Sequence, residues 1–267
     1  MSARCQIISY HDSTTGSILF PSSDYRNIFV IVEHDDFDSF KNVMMNNYQQ
    51  AVKMRNDRQQ TILHVIVLRS YAYVWIRLLL VRECDLSAQD VDGYTALHYV
   101  CERDDVEMLK ALTVKIHSTM QYLNNEQLEK IDKNCQKAFR TSNKYGITPF
   151  MLACFKNAKK CIEYFYEQHQ EICYEQVNQQ DRFGDVCIHY AVARNNIKLA
   201  EFLLSQCCAN VNGSDSDDTL LRPSPLDIAL FNKNQCITDL LKQYNGRTKL
   251  RVQRNTSYYE STEKATL

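Results

Sequence analysis

One helix-opening register, repeated along the chain, constrains its fold more than any other feature. Asn27, Thr61, Thr95, Thr148, Val186 and Ser224 each stand at the start of a short apolar pattern, separated by 34, 34, 53, 38 and 38 residues. The clearest copy is Asp90–Leu112, DVDGYTALHYVCERDDVEMLKAL. DVDG makes a tight turn, TALHYVC a short helix, ERDD a polar turn and VEMLKAL a second helix. Thr95 is placed to cap the first helix, because its hydroxyl can accept a backbone N–H of the opening turn. Gly93 permits a backbone angle that a residue with a Cβ resists. Leu97, Val100 and Cys101 fall at helical spacing, and so do Val106, Leu109 and Leu112. So short a helix pair cannot bury its own apolar face, so neighbours must cover it above and below.

The D-x-x-G-x-T-x-L-H-x-x-C run followed by a second helix resembles the ankyrin repeat, whose period is about 33 residues. The implied fold is an all-α ankyrin-repeat solenoid of about six helix-turn-helix repeats with short hairpin fingertips. The first repeat, NIFVIVEHDDFDSFKNVMM, keeps the apolar spacing without the T-x-L-H core, as suits a terminal unit whose outer face meets water. The second carries Trp75; the fourth, NKYGITPFMLACFKNAKKCIEYFY, sets Phe150 where histidine is usual. The fifth ends in ANVN, and the sixth has Asp227 at the histidine position. Pro149 and Pro225 sit in first helical turns, where a missing N–H costs nothing.

This register divides the chain into an N-terminal arm at 1–24, a repeat domain at 25–244 and a disordered tail at 245–267. An insertion at 113–142 separates repeats three and four. Within it, Leu128, Ile131, Cys135 and Phe139 recur at helical spacing and predict an added helix rather than a loop. A second interruption after Gly213 is acidic and polar, SDSDDTLLRP.

Composition excludes several function classes. The 267 residues carry 31 basic and 32 acidic side chains, a net charge of -1, so no global basic field points to direct nucleic-acid binding. The eleven cysteines include no C-x-x-C pair, and adjacent Cys207 and Cys208 make poor chelating geometry. The expectation is reduced, mostly buried structural thiols in a cytoplasmic or nuclear protein. No signal segment or membrane span is read: the apolar run Val74–Val81 is short and broken by Arg77. No cofactor, metal site or catalytic residue is expected, and the free chain is expected to be monomeric.

His64, His98 and His189 share one register. Metal ligation is a weak reading, since histidines one repeat apart cannot converge on one ion; rings bonded to backbone groups of adjoining turns are favoured. The fingertips carry more information: Asp90-Val91-Asp92-Gly93-Tyr94, Asn143-Lys144-Tyr145-Gly146-Ile147 and Asp181-Arg182-Phe183-Gly184-Asp185. Tyr145 and Phe183 share a register, with Tyr94 nearby. Exposed aromatics beside charges suit a protein-binding hot spot, although such rings can equally fold onto the next tip and stiffen the stack. Arg69, Tyr99, Arg103, Phe155, Lys156, Tyr190 and Arg194 are candidates for the concave inner face. The candidate protein-binding set is therefore Asp92, Tyr94, Arg103, Tyr145, Phe155, Phe183, Tyr190 and Arg194. Ser13 and Ser17, in HDSTTGS, have the separation of a D-S-G-x-x-S phosphodegron, but Gly16 does not directly follow Ser13. Ser214 and Ser216 precede acidic residues and are candidate phosphorylation sites.

Six repeats with an insertion after the third resemble the IκB proteins, as do CDLSAQDVDGYTALHYVCE and the ANVN ending of repeat five. That resemblance implies a regulator of Rel/NF-κB transcription factors, binding a Rel-homology dimer over its dimerisation surface and basic nuclear-import segment. The tail is not the acidic segment of that family. The alternative is an ankyrin adaptor scaffolding another complex, such as a ubiquitin-ligase or germ-cell assembly.

Overall fold

The computed structural model describes residues 28–69, 73–81, 84–113, 124–213 and 222–249. The described residues contain helices and turns, with no strand. The chain divides into two compact units, Met1–Asp85 and Leu86–Leu267.

In the first unit, α1 (Ile28–Glu33) and α2 (Phe37–Asn46) form one helix pair. Asp36 caps α2 by accepting the Ser39 N–H at 3.0 Å. A single-turn helix, α3 (Tyr48–Ala51), follows, then α4 (Ile62–Leu68) and α5 (Tyr73–Val81). Here α1 packs on α4 and α2 on α5. The indole of Trp75 lies 4.5 Å from the Phe40 ring and 5.1 Å from Phe37, joining consecutive outer helices through one aromatic cluster.

The second unit holds α6 (Ala96–Glu102) and α7 (Val106–Thr113), the inserted α8 (Asn125–Arg140), then α9 (Pro149–Lys156), α10 (Lys159–Gln168) and α11 (Gln170–Gln176). Two further pairs follow: α12 (Cys187–Ala193) with α13 (Ile197–Ser205), and α14 (Pro225–Phe231) with α15 (Gln235–Gln243). The first helices form one row, α6 on α9, α9 on α12 and α12 on α14; in the outer row α7 meets α10 and α13 meets α15. Each first helix turns into its partner through a left-handed residue: Asp104, Asn157, Asn195 or Lys233. These turns tie repeats together. Asp104 accepts the Cys161 N–H at 2.9 Å, and Asn196 donates to the Asn157 side-chain oxygen at 2.6 Å.

The histidine register acts as a structural bolt. In α6, His98 Nδ1 accepts the Thr95 N–H at 3.0 Å and lies 2.9 Å from the Thr95 hydroxyl. Its proton therefore sits on Nε2, which donates to the Ile147 carbonyl of the next tip at 2.9 Å. One imidazole thus closes its own helix and clamps the following repeat. His64 makes the same pairing with Thr61. Ser224 and Asp227 reproduce the box at α14, with the Asp227 carboxylate accepting the Ser224 N–H at 2.9 Å.

Repeat four departs from this pattern, and the third position of its helix is Met151 rather than Phe150. Two elements compensate for the missing imidazole. The Thr148 hydroxyl donates to Gln176 Oε1 at 2.5 Å, and Gln176 Nε2 donates to the Phe139 carbonyl at 3.0 Å. Gln176 comes from α11, which sequence periodicity did not resolve as a separate helix. Phe139 comes from α8, whose Ile131, Cys135, Ala138 and Phe139 are buried as their spacing requires. The Phe139 ring packs 5.3 Å from Phe165 and 4.6 Å from His169. Residues 245–249, placed by sequence in a disordered tail, are instead bonded to the stack. Arg247 N donates to Asn212 at 2.7 Å and Lys249 N to Asp227 at 2.9 Å.

Candidate protein-binding surface

Each fingertip is built from its first residue. Asp90 Oδ1 accepts the N–H groups of Asp92 and Tyr94, each at 2.9 Å. Asn143 holds Tyr145 and Ile147 in the same way, and Asp181 holds Phe183 and Asp185. The glycine three residues on adopts φ near +79° in all three tips. Successive tips are then stitched by backbone: Lys144 N donates to the Asp92 carbonyl at 3.2 Å and Arg182 N to the Tyr145 carbonyl at 2.9 Å.

This lattice aligns Asp92, Tyr145 and Phe183 at one position of consecutive tips. The rings of Tyr145 and Phe183 are roughly parallel, with centroids 6.5 Å apart, yet remain 41% and 54% exposed. The rings stack on each other and still present a face to solvent. Tyr94 lies two positions later in its tip. It packs 5.3 Å from the rings of both His98 and Tyr99, and burial, then the Glu102 charge, push its phenol up to about 12. It stiffens the stack more than it offers surface.

On the inner helices, Phe155 is half-buried, edge-on to Tyr190 at 5.3 Å, with the Arg194 guanidinium 4.8 Å from its centroid. Lys156 pairs with Glu102 across repeats at 2.9 Å. Arg103 is exposed. Arg69 faces Glu33 at 3.6 Å within the first unit. Tyr190 requires correction as a surface residue: it is 5% exposed, and its hydroxyl donates to Asp181 Oδ2 at 2.7 Å. Tyr99 makes the equivalent bond to Asp90 at 2.5 Å. A tyrosine one turn into the helix thus latches each tip that begins with aspartate; repeat four, whose tip begins with Asn143, has Leu152 at the equivalent helix position. Burial raises the Asp181 carboxyl above the usual carboxylate range, as it raises the Tyr190 phenol.

One residue that sequence reasoning missed borders this surface. Arg222 Nε donates to Asp185 at 2.8 Å, and its guanidinium also reaches the Phe183 carbonyl. Arg222 thereby fastens the Phe183 tip from beyond an insertion, where no local motif marks it. Ser13, Ser17, Ser214 and Ser216 lie outside the described residues.

The described thiols divide by burial. Eight described cysteines are buried, Cys208 and Cys236 being exposed, and burial pushes the Cys84 and Cys135 thiols up to about 12. Such thiols are poor nucleophiles. Among the described residues, no group of three or more His, Cys, Asp or Glu is arranged to hold a metal ion, and no helix is long and apolar enough to cross a membrane.

Comparison with known proteins bears on the same elements. The family described as "Ankyrin repeats (3 copies)" matches residues 28–121, 76–178 and 117–215. The chain belongs to the ankyrin-repeat family. The ankyrin fold is a protein-interaction scaffold, and its partners are set by surface residues rather than by the motif. The ankyrin-repeat domain of Bcl-3, a unique member of the IkappaB protein family, superposes with a TM-score of 0.63 at 21% identity, covering 85% of this chain and 93% of that one. Chicken nuclear factor NF-kappa-B p105 subunit is 25% identical over 183 residues, 68% of this chain. The ANK repeat-containing protein nipk-1 of Caenorhabditis elegans is 28% identical over 132 residues, 49% of this chain. The matches span 16% and 19% of those two relatives' own lengths.

Repeat five supplies a pH test of the ankyrin packing. Val186 leaves the box half made: His189 Nδ1 accepts the Val186 N–H at 3.2 Å, but valine offers no hydroxyl in return. Burial lowers the His189 pKa from 6.5 to about 4, against a smaller opposing effect of the Pro223 carbonyl. Below pH 6.5 the unfolded chain therefore takes up a proton that the folded chain refuses. His189 should contribute its full stability above pH 6.5 and lose it progressively down to pH 4, by up to about 3 kcal/mol. Denaturant midpoints measured across that window should flatten in His189→Gln.

Proposed function

We propose that this chain is a non-enzymatic regulator of the IκB kind, binding a Rel/NF-κB-type dimer through the fingertips and inner helices of repeats three to five. The observation that carries the reading is the Tyr145–Phe183 pair. Two large rings, held by a hydrogen-bonded tip lattice, are left open to solvent, with Arg182 next to Phe183 in sequence. Rigid, partly exposed aromatics next to arginine are what interface hot spots are made from. Likeness to an IκB-family ankyrin domain and to the p105 subunit supports the choice of a Rel-type partner.

Mixing the purified chain with a purified Rel-homology dimer should yield one stoichiometric species on size-exclusion chromatography with light scattering. Separate elution with every Rel-homology dimer tested would favour the adaptor reading, in which the same surface serves a partner of another class.

A further inference from the structure

The cations around this surface fall into two sets. Several are neutralised within the fold: Lys156 by Glu102, Arg140 by Glu175 and Arg222 by Asp185. Lys144, Arg182 and Arg194 are not, since none is within salt-bridge distance of a carboxylate among the described residues. Lys144 and Arg182 immediately precede the exposed Tyr145 and Phe183 in their tips, and Arg194 closes α12 against Phe155. The tips also carry carboxylates, Asp92, Asp181 and Asp185, but Asp185 is paired with Arg222 and Asp181 is bonded to the Tyr190 hydroxyl, which leaves Lys144 and Arg182 as the unpaired cations next to the stacked rings.

We infer that repeats four and five take an acidic segment of the partner, with carboxylates on Lys144, Arg182 and Arg194 and an apolar or aromatic side chain on the Tyr145–Phe183 stack. This deepens the proposed function and rests on its reading that tips and inner helices bind protein. The backbone at two of the cations is already fixed, because Lys144 N and Arg182 N are bonded to the preceding tips. Arg194 is held against the Phe155 ring. Such preorganisation lowers the ordering cost of binding, and the guanidinium fork suits a carboxylate. A basic segment placed here would meet like charge and be rejected, so a partner's basic import segment would have to lie elsewhere on the stack. Nucleic acid is the poorer fit: phosphate-driven binding commonly uses about 6–10 contacts, and only three cations are on offer.

The test is fluorescence anisotropy of the full chain with three dye-labelled probes. They are a glutamate-rich peptide containing leucine and tyrosine, the same peptide with lysine replacing glutamate, and a single-stranded oligonucleotide. The glutamate peptide should bind best, weaken with added salt, and lose about ten-fold or more in affinity with Lys144→Glu/Arg182→Glu. Lys144→Gln/Arg182→Gln and Arg194→Gln should lose less, with circular dichroism unchanged. Equal or tighter binding of the lysine peptide or the oligonucleotide would overturn the inference, as would charge reversal that leaves glutamate-peptide binding intact. The two claims separate cleanly. A Rel complex insensitive to charge reversal, with no glutamate-peptide preference, sinks the acidic preference alone. A charge-sensitive glutamate peptide without any Rel complex sinks the Rel assignment alone.

Discussion

Replacing His98 by alanine is expected to destabilise the second unit by about 3–4 kcal/mol. The ring is fully buried and serves three partners: the Thr95 N–H, the Thr95 hydroxyl and the Ile147 carbonyl. Removing it leaves a buried donor and a buried acceptor unpaired, each costing about 1–3 kcal/mol, and opens a cavity as well. The effect should spread, because repeat proteins derive much of their stability from the interface between neighbours. Urea unfolding followed by circular dichroism should show a lowered midpoint, and hydrogen exchange should show lost protection in α6 and α9 together. A loss confined to α6 would mean that the Ile147 bond does not couple the repeats.

Gly93→Ala is the second large effect, at about 2–4 kcal/mol. Gly93 sits at φ +79°, and a Cβ there would lie 2.7 Å from Lys144 N and 3.1 Å from Asn143 Cα. Both contacts are backbone of the next tip, so neither can swing aside. Relief would require moving Lys144 away from the Asp92 carbonyl it donates to, breaking the stitch between tips. Gly146→Ala is expected to cost less. Its φ is the same, but the nearest backbone atom, Arg182 N, is 3.0 Å away. The ordering of the two denaturation midpoints tests the lattice; equal midpoints would show that close approach adds nothing to the conformational cost.

What could be read in advance follows from where each interaction is encoded. Thr95 and His98 are three residues apart, so T-x-L-H announced a bolt whose far partner, Ile147, is supplied by regular stacking. The α8 helix was legible because its apolar positions, from Leu128 to Phe139, recur at one helical spacing. α11 was not, because its role rests on Gln176 reaching Thr148 and Phe139, 28 and 37 residues away in sequence. The surface was legible only in part. Tip register picked out Tyr145 and Phe183, yet it placed Tyr94 beside them although that ring belongs to a position that folds inward. Helical periodicity put Tyr190 on the inner face without showing that Asp181 would draw its hydroxyl into the tip. Arg222 lay beyond an insertion with no motif to mark it.

The central claim is that the tips of repeats four and five form the binding surface. Titration calorimetry of a Rel-homology dimer with the wild-type chain and with Tyr145→Ala/Phe183→Ala tests it most directly. Both side chains are exposed, so the variant should keep its unfolding midpoint. Binding should weaken by at least about 2 kcal/mol, roughly thirty-fold, if the pair is a hot spot. Unchanged affinity in a fully folded variant would contradict the account and move the partner to another face of the stack.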